Sequence, residues 1–163
     1  MKSAIRLAAA AFATCLGAAT PAGATIIQFI VPLSGANEVP AGSGDPDGSG
    51  TATLTLDDAT NSISWSITTS NITLPIFLDH IHQGAAGVNG PVVIDFSAQL
   101  VGGPIVDADV ANVLANPSGY YVNVHTTDFQ GGAIRGQVPE PETALLLAVG
   151  LASLALGRRA MKV

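Results

Sequence analysis

The sequence predicts an all-β fold: a single Greek-key-like antiparallel β-sandwich with one short helix, flanked by an N-terminal signal peptide and a C-terminal hydrophobic helix. Three observations lead there. Residues 51–56 and 62–68 alternate apolar and polar side chains with a strict period of two. Other β-branched runs recur at short intervals, separated by clusters of Gly, Pro, Asn and Asp. Both ends differ sharply in composition from the middle.

Residues 1–24 carry Lys2 and Arg6, then an Ala/Leu-rich run, then Pro21-Ala22-Gly23-Ala24. A basic start, a short apolar centre and an A-x-A finish describe a secretory signal peptide cut after Ala24. The only cysteine, Cys15, lies inside it. The remaining body has no thiol, so disulfides, thiolate ligands and a cysteine nucleophile are excluded from it.

The body spans 25–138. Residues 25–33 (TIIQFIVPL) read as a first strand, and 34–50 as turn chemistry. Within that turn, residues 45–50 (DPDGSG) match a calcium loop only partly, since Leu56 stands where a closing bidentate acid belongs. Ala52, Leu54 and Leu56, and then Ile63, Trp65 and Ile67, form one apolar face of a hairpin closed by 57–61. Trp65 shares its face with Ile63 and Ile67, which makes it core. Residues 76–82 and 91–98 give two more strands around a Gly-rich loop. Residues 108–115 predict the helix, capped by Asp107 and stopped by Asn116-Pro117. Strands at 120–127 and 133–138 complete the set.

Charge is segregated too. Arg135 is the only Lys or Arg between residues 25 and 138, against nine Asp and one Glu, a net of −9 with histidine neutral. Such a surface repels nucleic-acid phosphates and anionic lipid, so a nucleic-acid partner is not expected. Arg135 is expected to pair with a carboxylate such as Asp128.

The candidate site rests on alternation. His80 and His82 project from one face of their strand, while Asp79 and Ile81 project from the other. His125 faces away from Val122 and Val124 in the same manner. If the two strands are neighbours, three imidazoles meet on the wet side of the sheet. Three imidazoles plus water form a sound set for Cu or Zn, so His80, His82 and His125 are the candidate metal ligands. The competing reading is that they pin the Gly84-to-Gly90 loop by hydrogen bonds. Asp79, facing away, is a poor fourth ligand. No nucleophile elbow, phosphate loop or H-E-x-x-H motif is present, so no catalytic residues are assigned.

After Val138 the chain changes character: Pro139-Glu140-Pro141-Glu142, an apolar run over 143–156, then Arg158-Arg159. The run is about 21 Å long as a helix, short for a hydrocarbon core of about 30 Å. This tail resembles a PEP-CTERM sorting signal, with Pro139, Glu140, Pro141, Arg158 and Arg159 as its motif residues. The resemblance implies an exosortase-type sorting enzyme as partner and transient inner-membrane anchoring through the tail (residues 139–163). It also implies export to the surface of a bacterium that makes exopolysaccharide, a further expected partner.

The body resembles the CHRD domain through Leu33-Ser34-Gly35-Ala36-Asn37-Glu38-Val39-Pro40, His80-Ile81-His82 and Gly90-Pro91-Val92-Val93. Tyr120-Tyr121-Val122-Asn123-Val124-His125 and Gly131-Gly132-Ala133-Ile134-Arg135-Gly136 extend the match. That family is β-rich, with no molecular activity assigned to its bacterial members. A fainter similarity joins His80-Ile81-His82 to Cu/Zn superoxide dismutase, whose bridging histidine, zinc acids and cysteines have no counterparts here. Two functional expectations follow. One is a non-enzymatic β-sandwich module at the cell surface or in the extracellular matrix. The other is an extracytoplasmic copper- or zinc-binding protein, redox-active if the metal is copper.

Overall fold

The structure, a computed structural model, describes residues 25–141. The expected signal peptide and most of the tail, including Arg158 and Arg159, lie outside the described residues. Among those described, no helix is long and apolar enough to cross a membrane.

Eight strands form one antiparallel sheet: β1 (Ile26–Ser34), β2 (Ser49–Asp57), β3 (Ser62–Ser70), β4 (Ile76–Gln83), β5 (Val92–Asp95), β6 (Val101–Val106), β7 (Tyr120–Thr126) and β8 (Ile134–Gln137). The spatial order is β5-β4-β7-β8-β1-β2-β3-β6. The all-β expectation therefore holds, as does the single short helix, α1 (Asp109–Ala115). Ala108 holds the N-cap position of α1, and Asp107, one residue before it, accepts at Oδ1 from the Asp109 amide at 2.9 Å.

Alternation decides which face is core. Phe29, Val31 and Leu33 of β1, Ala52, Leu54 and Leu56 of β2, and Ile63, Trp65 and Ile67 of β3 are all buried. They meet Ile81, Ile94, Val122, Val124 and Ile134 from the other half of the sheet in one cluster. The sheet curls so that the segment following β5 reaches β3. Trp65 stacks on Phe96, just past β5, with ring centroids 4.3 Å apart, and its indole N–H donates to Gln99 O.

β6 is the strand that the sequence reading missed. Its Val-Gly-Gly-Pro-Ile-Val has neither clean alternation nor a β-branched run. It pairs with β3 through an irregular register, and Gly102 lies against the Trp65 ring, where a Cβ would come within 2.4 Å of Cζ2. The strand expected over 91–98 is shorter than expected. Pairing stops at Asp95, and Ser97 and Ala98 turn the chain with positive φ. Residues 45–50 are not a plain surface turn: Asp45 is buried and its Oδ2 accepts from the Thr73 amide at 2.8 Å.

Candidate metal centre

β4 and β7 are neighbours. Their register sets Leu78 opposite His125, His80 opposite Asn123 and His82 opposite Tyr121. His125 thus lies diagonally across from His80 on the face away from the core. The ring centroids of His80 stand 4.6 Å from those of both His82 and His125, and His82 and His125 are 6.1 Å apart. One ring nitrogen from each residue falls within 4.8 Å of the others. A tetrahedral zinc with Zn–N bonds of 2.0–2.1 Å spaces its donors about 3.4 Å apart. Loading such an ion requires the rings to close by roughly 1.4 Å at the widest pair, within reach of side-chain rotation.

The face is not wet, as alternation alone suggested. His80 and His125 are each only 6% exposed, His82 is half-buried, and every residue of β7 is buried. Two loops cover the outer side. The chain between β4 and β5 is held by Arg135, which donates to Asn89 Oδ1, Ala85 O and Val88 O at 2.8–3.2 Å. Gln137 Nε2 donates to Gly84 O, and the Gly90 amide donates to the Tyr121 hydroxyl. The chain between β1 and β2 closes the other side, with Asn37 donating to Arg135 O and the Asp45 amide donating to Ala133 O. Arg135 forms no pair with Asp128. Its guanidinium lies 3.4 Å over the Tyr121 ring, whose plane in turn parallels His82 at 4.8 Å.

Hydrogen bonding selects the tautomers. His82 Nδ1 lies 2.8 Å from Gly90 O, and His125 Nδ1 lies 2.9 Å from Gln130 O. A carbonyl only accepts, so both Nδ1 atoms carry the proton and each Nε2 keeps a bare lone pair. Those two Nε2 atoms are buried without a partner, as is His80 Nδ1. The loop-pinning reading therefore holds for His82 alone, since His125 bonds Gln130 O outside the Gly84-to-Gly90 loop, and three buried ring nitrogens are left without partners. Carbonyls bound to the far nitrogen of an imidazole are the usual orienting partners of ligating histidines.

All three rings are held neutral. Burial pushes His80 down to about 4, with further lowering from its two histidine neighbours. Burial lowers His82 and His125 as well, opposed in each by the carbonyl at Nδ1. Neutral imidazole is the metal-binding form.

Sequence reasoning missed the layer around the rings. Asn123, across from His80, donates to Glu38 Oε2 at 3.5 Å and leaves its own Oδ1 unpartnered. Glu38 is buried, and desolvation raises its pKa to about 7 against the pull of Arg135. Parity with His125 marked Asn123 and Tyr121 as site-facing; nothing local marked Glu38. Asp79 lies on the opposite face, inside the core, so it is no ligand.

Residues 29–138 match the family described as CHRD domain, and residues 137–160 match the PEP-CTERM protein-sorting motif. No curated protein and no solved structure matches the chain.

Proposed function

The chain belongs to the CHRD-domain family and carries a PEP-CTERM sorting signal, and we propose that its exported body is a non-enzymatic surface or matrix module holding one copper or zinc ion at His80, His82 and His125. One observation carries the metal reading. Three imidazoles converge, each with a buried nitrogen that has no partner. A buried polar atom without a partner costs about 1–3 kcal/mol, so three together in one place are explained by a ligand that satisfies them all. The set is chemically suited to the task, since neutral imidazole accommodates both zinc and copper. A fourth position is left for water or an external donor. Exopolysaccharide is the expected neighbour of the sorted protein, through the machinery its tail addresses.

The test is metal content and affinity of the purified protein. Wild type is expected to hold one Cu or Zn. His80→Ala with His82→Ala should weaken binding by more than about 100-fold, since even an orienting partner of a ligand is worth 10–100-fold. At a free metal concentration about 100 times the wild-type Kd, wild type should gain about 2.7 kcal/mol of stability, and the double variant less than about 0.4 kcal/mol. Metal-free wild type whose melting temperature ignores added Cu and Zn would falsify the reading.

A further inference from the structure

The two family matches overlap at Gln137 and Val138, so no linker separates the body from its sorting motif. Gln137 is the last residue of β8. Val138 is fully buried, and its amide donates to Tyr120 O at 2.9 Å. Glu140, the acid of the motif, accepts from the Ser118 amide at 3.4 Å. The motif therefore starts while still bound to the fold.

It also leaves a gap beside it. β1 pairs with β2 at nine positions but with β8 at one, Ser34 with Arg135. A β8 continued past Val138 would run along β1. Pro139 and Pro141 stand there instead, and neither has an N–H to give to a ladder. A groove of about 760 Å³ results, lined by Ile26, Ile30, Pro32, Pro139, Glu140 and Pro141 among others. Ile26 and Ile30 are 68% and 59% exposed, large apolar side chains on a strand that, among the described residues, pairs on this side only at Ser34. The only charged side chain in the lining is Glu140.

We propose that this groove is part of the sorting signal: the sorting enzyme reads Pro139, Glu140 and Pro141 together with the β1 edge, seating an extended, uncharged segment of its own between them. The motif forms one wall of the groove, so an enzyme engaging it meets the other wall. An open strand edge supplies main-chain hydrogen bonds to an added strand, and Ile26 and Ile30 supply apolar contact. A bilayer fits this face less well, because the body has only Arg135 to offset ten acids and Arg135 is buried.

The test uses the full chain in cells with and without the sorting enzyme, reading the enzyme-dependent fraction of protein whose tail is processed. Ile26→Asp with Ile30→Asp alters the groove and leaves the motif intact. A Gly-Ser-Gly-Ser insertion between Val138 and Pro139 leaves the motif and the β1 edge each intact but parts them. Each is expected to lower processing by about tenfold or more, with the melting temperature of the body unchanged. Wild-type processing in both variants overturns the proposal, as the motif is then read alone. Loss in the insertion variant only also overturns it, since spacing and not the groove then matters. Normal processing of the double variant with lost vesicle binding, or with a changed oligomeric state, reassigns the groove to lipid or to a second copy.

Discussion

Replacing Arg135 by methionine should destabilise the body by about 3–5 kcal/mol, the cost of removing one side of a buried charge arrangement. The guanidinium is 2% exposed and makes three hydrogen bonds to the loop between β4 and β5. It also covers Tyr121 and faces Glu38. Methionine fills much of the volume and none of the polar roles. The loss should be greater at pH 8 than at pH 5. Glu38 is already raised to about 7 with Arg135 beside it. Without that charge its folded pKa rises further above the unfolded value, so stability falls as pH climbs through it. Adding Glu38→Gln should therefore recover part of the loss at pH 8 and little at pH 5. Urea denaturation at the two pH values checks this; a loss under about 1 kcal/mol at both would mean that the loop is held by other contacts. Metal affinity should fall as well, by about 10–100-fold, because the same loop presents Gly90 O to His82.

Asp79→Asn should act in the opposite direction, stabilising the body by roughly 2–3 kcal/mol at pH 8 and by almost nothing at pH 4. Asp79 is fully buried on the core face of β4, and burial raises its pKa to about 6 from an ordinary 3.8. The Ala98 and Gln99 amides draw it back down and Asp95 pushes it up, yet neither carboxylate oxygen has a hydrogen bond of good geometry. The folded state thus binds the proton more tightly than the unfolded chain does. Its contribution is intact below pH 3.8 and lost as pH rises through 6. Asparagine carries no charge at either pH. Glu38 and the three histidines titrate in both proteins, so the difference between wild type and variant isolates Asp79. Equal stability differences at pH 4 and pH 8 would show that Asp79 is not charged in the core at pH 8.

These two residues also show where the sequence was legible. Period-two alternation in β2 and β3 identified the core face of Leu54 and Trp65 without any tertiary information. The same rule set His80, His82 and His125 on one face, and neighbouring strands then brought them together. Alternation says which residues share a face; it is silent on what covers that face. The covering loops owe their placement to contacts such as Asn89 to Val39 O and Arg135 to Val88 O, fifty and forty-seven residues apart in the chain. A lone basic residue in an acidic body suggests a surface ion pair, and only the register of β7 on β8 reveals Arg135 as the pin of a buried layer. β6 stayed hidden for a different reason. Its glycine is fitted to the Trp65 ring, so packing against β3 rather than its own pattern makes it a strand.

The most direct measurement is a long-range proton–nitrogen NMR spectrum of the imidazoles before and after one equivalent of zinc is added at pH 7. The account predicts neutral rings throughout, with His82 and His125 keeping the proton on Nδ1. On loading, the Nε2 signals of those two rings and the Nδ1 signal of His80 should move together to the metal-bound position. Zinc that shifts only one ring, or that finds His82 and His125 protonated on Nε2, would contradict a shared three-histidine centre.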